Sequence, residues 1–368
     1  LLVATHRART ENAWFEVGGY FRKLVDDYDF DRTTQESAVT GAFDHQTRVY
    51  GMGAQGAIQR GNWDWRYAMQ LMSDELVRST DLTEGRFDSR DYATLSLTPS
   101  LLLVNPPDRK VPLTAGVSVD LSSRDDNEVS PMLGAEFSYP TKSGGRYLKF
   151  EYAGSSQLPG YTALNSRPSG LFGGNARLGR ERAGQATITM GYHSGTRTTK
   201  LAVFYRRDRD LVDWTYSSGA PFSRQANDVN INVWGAQLLF SESWNDLSIT
   251  AAYNFLDKDS DYGAATVDAS FYALNFARHR ATLAVQYPIT DDIELRLDNE
   301  YRLQESNPLR TSSAESYLAS ASLIWAPSGD RGFRFSSSVE NLTDEDFQQF
   351  PGTPASGRQL SLNLHYDW

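Results

Sequence analysis

The chain reads as a long series of two-residue alternations. In DIELRLDNEYRL, Ile293, Leu295, Leu297, Tyr301 and Leu303 alternate with Glu294, Arg296, Asp298, Glu300 and Arg302. The same pattern runs through Trp63–Leu71, Leu113–Leu121, Leu148–Tyr152, Leu201–Tyr205, Leu247–Phe255, Ala281–Tyr287 and Tyr317–Trp325. The final RQLSLNLHYDW puts Leu360, Leu362, Leu364, Tyr366 and Trp368 on one face, and Gln359, Ser361, Asn363, His365 and Asp367 on the other. Successive side chains of a strand point to opposite faces, so each segment predicts a strand that is apolar on one side and polar on the other. No segment of comparable length carries a helical period. The pattern predicts about seventeen strands, each near the ~9–11 residues that a tilted membrane-crossing strand needs.

The connections sort by parity. Counting back from the C-terminus, 342–357 is long and 326–332 short; 304–315 is long and 288–292 short. Next come long 257–277 and short 241–246, long 209–228 and short 193–196, long 156–182 and short 140–145. The alternation continues toward the N-terminus, where 122–128 is a modest long connection. A soluble sandwich has no reason to sort its loops this way. An outer-membrane barrel does, with short periplasmic turns and long extracellular loops. The fold expected is all-β, a transmembrane antiparallel β-barrel in the Gram-negative outer membrane, whose last strand descends to the periplasmic side.

Aromatic residues fit this frame, because a ring with a polar edge favours the headgroup level. Trp63, Trp65, Tyr139, Tyr287, Trp325, Phe333, Tyr366 and Trp368 lie on the apolar face near short turns. Tyr152, Tyr205, Tyr253, Phe255, Tyr301 and Tyr317 lie near long loops. The opposite face carries Lys149, Glu151, Lys200, Arg206, Glu294, Arg296, Asp298 and Arg334, which are expected to line the lumen. An Arg or Lys facing lipid at mid-membrane would cost ~2–4 kcal/mol.

Composition narrows the alternatives. The 368 residues are 40% hydrophobic, with a mean hydropathy of -0.50. No apolar run exceeds five residues; Leu101–Val104 is one of the short ones, far below the ~20 residues of a membrane helix. The chain therefore crosses a membrane as strands or not at all. Cys is absent, which removes disulfides, thiolate metal sites and thiol nucleophiles. A net charge of -10 argues against nucleic acid as a partner. There is no starting Met or signal-like segment, so the chain is expected to begin after processing or to be a fragment.

Two segments resemble a known family. VENLTDEDFQQFPGTPASGRQLSLNLHYDW resembles the C-terminus of TonB-dependent outer-membrane receptors, with Asn341, Leu342, Asp344, Gly357, Arg358 and the terminal Trp368 in the family's positions. The stretch around FGGNARLGRERAG resembles the family's mid-barrel Asn-x-x-Leu-x-x-Glu element, with Asn175, Leu178 and Glu181 in place. Arg180 stands where that element usually has Pro. The resemblance implies a barrel of about 22 strands around an N-terminal plug that contacts TonB. It implies uptake of a ferric siderophore, cobalamin or an oligosaccharide, with no catalysis. The chain departs from the family at its front. The expectation is that residues 1–368 are the C-terminal part of the receptor barrel, without the plug and roughly five strands. Its partners would be that missing part of the same receptor, the TonB system acting through the plug, and outer-membrane lipids and lipopolysaccharide.

A passive porin of 16 or 18 strands is the competing reading. An enzymatic reading finds little support, since His6, His45, His193, His279 and His365 sit in unrelated places. Ligand contacts are expected in the loop at 156–182, where Tyr161, Arg167, Phe172, Asn175, Arg177 and Arg180 combine aromatic and cationic groups suited to an anionic or planar ligand. Asp26, Asp27, Asp29 and Asp31 could offer oxygen ligands to Ca²⁺. They lack the layout of a defined calcium loop, and a solvated acidic loop is the simpler reading.

Overall fold

The computed structural model describes residues 1–28, 43–79, 89–105, 109–166, 172–219, 224–271, 273–327, 332–349, 351 and 353–366. Its elements begin with β1 (Leu2–Arg9), β2 (Ala13–Tyr28), β3 (Phe43–Arg60), β4 (Trp63–Ser79), β5 (Ser89–Asn105) and β6 (Arg109–Ser122). Next come β7 (Glu128–Thr141), β8 (Gly144–Gln157), α1 (Tyr161–Asn165), β9 (Phe172–Gly173), β10 (Glu181–Ser194), β11 (Arg197–Tyr216) and β12 (Arg224–Trp244). The chain continues through β13 (Leu247–Asp261), β14 (Ala269–Ser270), β15 (Ala277–Pro288), β16 (Ile293–Gln304), β17 (Glu315–Trp325), β18 (Phe333–Glu340) and β19 (Gln359–Tyr366). Among the described residues, nineteen strands less the two-residue β9 and β14 leave seventeen long ones, as the alternation predicts.

Each long strand pairs antiparallel with the next long strand in the chain, so the wall is one continuous meander. The only parallel pairing among the described residues is two residues long, β9 against the start of β12, and it belongs to a loop. Loop parity holds throughout. One end carries the connections 10–12, 61–62, 106–108, 142–143, 195–196, 245–246, 289–292 and 326–332. The other carries 29–42, 80–88, 123–127, 158–180, 217–223, 262–276, 305–314 and 341–358. Three two-residue turns start on Gly61, Gly195 and Asn245, at φ of 60°, 53° and 49°. That left-handed conformation matches the twist of the strands it joins.

The register keeps the two faces apart. One row of partners runs Trp63, Leu101, Leu113, Ala135, Phe150, Ile188, Val203, Ala236, Phe255, His279 and Leu303. The adjacent row starts Asp64, Ser100, Thr114, Gly134, Glu151 and Thr187. The first row begins beside a short turn and ends beside a long loop. A hydrogen-bonded row that climbs from one rim to the other means strands inclined to the rim, as a closing barrel requires. Large apolar side chains on the first face stay open, Trp234 at 56% and Leu133 at 56% exposure among them. Such a face needs lipid to cover it.

Trp63, Tyr139, Tyr287, Trp325 and Tyr366 share this apolar face by register, and Lys149, Glu151, Arg206, Glu294, Arg296, Asp298 and Arg334 share the other. Trp368 lies outside the described residues. The polar face carries ion pairs two residues apart along single strands: Lys149 with Glu151 (2.7 Å), Arg206 with Asp208 (2.6 Å) and Arg296 with Asp298 (2.9 Å). It is not polar everywhere. Near the long-loop end Val229, Ile231 and Val233 of β12 are buried beneath Ala273, with Phe204, Leu211, Leu256 and Tyr262 around them. The loop 262–276 folds inward there, and a covered patch of wall needs an apolar core where open lumen needs polar groups.

Leu238 lies on the apolar face and Gln237 beside it on the polar one. Leu238→Arg is expected to destabilise the protein by ~2–4 kcal/mol, while Gln237→Arg stays within ~0.5 kcal/mol. Denaturant unfolding in lipid vesicles reads both, and equal costs would mean the facing is wrong.

Candidate functional site at the loop end of the barrel

The loop 158–180 turns inward. Its helix α1 has no side-chain cap, and its buried residues Ala163 and Leu164 pack with Leu178 and with Ala226 of β12, flanked by Val212 and Trp214 of β11. On its other side Tyr161 reaches the distant strand β4, where its hydroxyl donates to Asp74 Oδ1 at 2.6 Å. Asp74 is only 6% exposed. Arg90 on β5 grips the same carboxylate, Nε to Oδ1 at 2.9 Å and Nη2 to Oδ2 at 2.6 Å. Its third contact is Nη1 to the carbonyl of Pro159 at 2.7 Å, and its guanidinium lies 4.2 Å from the centre of the Tyr161 ring. Tyr92 donates a further hydrogen bond to Asp74. Burial first, and then the bond to Asp74, push the Tyr161 phenol well above its usual range, so it remains a donor. The result is a latch that ties the loop to the wall.

Beside the latch is a cavity of about 250 Å³, lined by Arg90, Tyr92, Thr94, Asp120, Ser156 and Arg180 among others. Asp120 accepts from Thr94 (2.6 Å) and Ser156 (2.9 Å). Arg180 is 3% exposed and donates to the carbonyl of Asp126 (2.9 Å) and to Ser156 (3.1 Å). Arg124, on the loop 123–127, is drawn down to about 10 by burial and by its neighbour Arg90. A cluster of guanidiniums with interleaved carboxylates suits a ligand that brings its own oxygen acceptors.

The loops after β13, β16 and β18 interlock as well. Asp213 of β11 is fully buried and accepts from Ser270, from Tyr262 (2.8 Å) and from the amide of Ala273 (3.1 Å), which holds the loop 262–276 inside. Arg310 donates to Gln304 at 2.6 Å, Gln348 bridges to Thr311 at 2.7 Å, and Asn307 reaches the carbonyl of Ser270 at 2.9 Å. The loops after β13, β16 and β18 are thereby joined.

The residues singled out by sequence take definite places. Tyr161 is in the latch. Phe172 packs edge-on against Trp214 at 5.0 Å with Arg224 over its ring. Asn175 bonds within the loop, its amide to the carbonyl of Ala163 and its side chain to the amide of Arg177. Arg180 is buried, and Arg177 is exposed with no ion pair among the described residues. Arg167 lies outside the described residues, as do Asp29 and Asp31. Asp26 and Asp27 sit at the top of β2 opposite His45 and Asp44, and among the described residues no group of acids or histidines is placed to hold a metal ion. Sequence reasoning missed Asp74, Arg90 and Asp213. Each reads as one more charge on a polar strand face, and only the inward path of the loops sets it apart.

The two resembling segments resolve into structural roles. Asn341 (φ 51°) and Asp344 (φ 55°) take left-handed conformations that end β18. The Asn341 side chain brackets the loop, accepting from the amide of Glu345 (2.8 Å) and donating to the carbonyls of Glu345 (3.0 Å) and Ser356 (3.3 Å). Asp344 accepts from the amide of Arg358 (2.8 Å) just before β19 starts. Leu178 fills the loop core. Glu181 accepts from the amide of Val212 (3.1 Å), beyond the irregularity that interrupts the β11–β12 register.

A meandering wall with an apolar outside, an ion-paired inside and loops sorted by end defines a transmembrane β-barrel of the Gram-negative outer membrane. The family model for TonB-dependent receptor-like β-barrels matches residues 3–368, and the chain belongs to that family. No curated protein matches it in sequence. Among solved structures it is similar to the copper transporter OprC, at 13% identity and a TM-score of 0.68, covering 96% of this chain and 62% of that one. The FrpB iron transporter from Neisseria meningitidis (F5-1 variant, apoprotein) matches at 15% identity and 0.70, covering 96% and 61%. The ferric citrate transporter FecA, unliganded, matches at 13% and 0.68, covering 99% and 61%. At these identities the likeness is one of fold, and the chain spans less than two thirds of each of these structures.

The Arg90–Asp74 pair joins two wall strands, so the loop itself is held to it by the Tyr161 hydroxyl, a bond to a charged group that contributes ~1.5–3 kcal/mol. Tyr161→Phe should therefore loosen α1 while the wall stays folded. Hydrogen exchange at the amides of Leu164 and Ser166, which bond to the carbonyls of Gly160 and Thr162, is expected to accelerate about tenfold or more. Unchanged exchange would show that the apolar contacts alone hold the loop.

Proposed function

We propose that this chain forms the wall and the ligand-binding mouth of a TonB-dependent receptor that takes up a scarce metal-bearing ligand, of the ferric siderophore type, in an energised step. The carrying observation is the mouth itself: inward loops latched to a polar, ion-paired wall beside a cavity with two arginines. Family membership and the names of the similar structures, iron and copper transporters among them, support the ligand class. In this reading the chain is the C-terminal part of the receptor barrel, and the plug and remaining strands belong to the rest of the receptor. Cobalamin or an oligosaccharide remains the next ligand class to test.

The porin reading fares worse. Seventeen antiparallel strands run β1 and β19 in the same direction, and no pairing joins these two strands among the described residues. A self-closing antiparallel barrel needs an even count.

The test is uptake of radiolabelled iron by cells making the full-length receptor, on a strain without it. Uptake from ferric siderophores is expected to stop when the proton gradient is collapsed or TonB is deleted. Energy-independent leakage of small sugars and ions through the purified full-length protein would favour the porin instead.

A further inference from the structure

The apolar outer face is not uniform. Across β6 to β12 it holds a groove of about 680 Å³. Its floor is made by small residues, Ala135 and Ala186, and its walls by Phe150, Tyr152, Tyr205 and Trp234. Tyr205 and Trp234 are cross-strand partners with ring centres 4.7 Å apart. The groove runs up to the row Tyr152, Ala186, Tyr205, Trp234. Two residues further along each strand, ~7 Å toward the long loops, the row becomes Gly154, Gly184, Arg207, Asn232.

The chemistry changes at that step. Tyr205 points its hydroxyl upward and donates to Asn232 Oδ1 at 2.9 Å. Tyr152 leans its hydroxyl over Gly184, where a Cβ would come within 2.9 Å of it. Gly184 thus keeps the wall low directly beside Arg207. In the next row Arg182 faces Arg209 across the ladder. Arg182 is balanced by Glu128 at 2.6 Å and Asp210 at 3.5 Å. Arg207 and Arg209 are exposed and have no ion pair among the described residues. On the far side of Asn232 the same row continues to Asp259, and Asp257, one step below it, lies 3.4 Å from Arg278; neither carboxylate pairs with Arg207 or Arg209 among the described residues. The wall therefore presents an apolar channel at membrane depth, phenolic hydroxyls at its upper end, and two guanidiniums without ion pairs among the described residues, one and two steps above.

We propose that this groove is a lipid site: it seats an acyl chain of a phosphate-bearing glycolipid of the outer leaflet, with a phosphate held by Arg207 and Arg209. The proposal rests on the long loops facing outside, and is independent of what the receptor imports. Arginine matches phosphate geometry better than any other side chain, and the exposed aromatic rim fits the headgroup boundary. A second outer groove of about 780 Å³, against Tyr50, Met52 and Leu71, supplies an internal control. It is bordered by Asp91, the Arg48 above it already faces Glu75 at 3.8 Å, and the cross-strand neighbour of Arg48 is Lys23, so its upper edge offers a lysine and a paired arginine in place of two arginines.

The experiment is native mass spectrometry of the full-length receptor in detergent, titrated with lipid A carrying both phosphates or none. The wild type is expected to retain the phosphorylated lipid about tenfold better than the phosphate-free one. The double variant Arg207→Gln/Arg209→Gln should lose that preference, and Arg48→Gln should keep it. Ala186→Trp, which fills the groove floor, should weaken retention of both lipids. Millimolar inorganic phosphate should displace neither. Folding of each variant is checked by heat-modifiable migration, and the arginine variants, being exposed, keep the test decisive if Ala186→Trp does not fold. The proposal is overturned if the double variant behaves as wild type, if phosphate-free lipid is held equally well, if Arg48→Gln loses as much, or if free phosphate displaces the lipid.

Discussion

In hydrocarbon a backbone N–H or C=O without a partner costs several kcal/mol, because no water is present to satisfy it. Each long strand here is therefore laddered to the next along the chain, with β1 and β19 paired on one side among the described residues, and the ladder dictates the rest. Once the pairing is fixed, side chains alternate between two surroundings, and a slip of one residue would exchange the lipid and lumen faces of a whole strand. The unbroken row from Trp63 to Leu303 across ten pairings is the result of that constraint. Close approach between strands is met locally by glycine. Gly51 lies under the ring of Tyr20 and Gly235 under that of Phe204, where a Cβ would come within 2.2 Å and 2.1 Å of ring carbons.

This is also why so much of the wall was legible in the sequence. Period two, loop parity and the aromatic ends are direct projections of the ladder onto the chain. Ile293 to Leu303 could be assigned face by face before any coordinates. The loops obey no such rule. Nothing in SDELV marks Asp74 as the anchor of a helix 87 residues away, because its partner is set by the path of 158–166 through space. Val229, Ile231 and Val233 mislead in the opposite sense. Their apolar character on a lumen face makes sense only once Ala273 is seen to cover them.

The family-like segments show how local chemistry can be carried by a short motif. Asn341 and Asp344 satisfy backbone groups released where the ladder stops, and both adopt positive φ, which Asn and Asp tolerate better than most residues. Glu181 does the same for the amide of Val212. Arg180, in the position where proline is usual for the element, adds two bonds that proline has no hydrogen to make.

The energetics of the two zones differ in kind, and this bears on transport. The wall is held by ladders that cannot open in lipid without exposing many polar groups together. The inward loops are held by a few side-chain contacts: the Asp74 latch, the Asp213 clasp and the bonds of Arg310 and Gln348. A side-chain hydrogen bond contributes ~0.5–1.5 kcal/mol net, or ~1.5–3 kcal/mol where one partner is charged, so the loss of one lies within what a ligand of ordinary affinity can offset. The Arg90–Asp74 pair is stronger, but both its partners stay on the wall. Tyr161 and the carbonyl of Pro159 can leave it without separating the charges. Opening at α1 then breaks hydrogen bonds and a ring contact without separating the Arg90–Asp74 charges, whereas the loop 262–276 stays clasped over the buried Asp213, so one side of the mouth can move while the barrel around it does not.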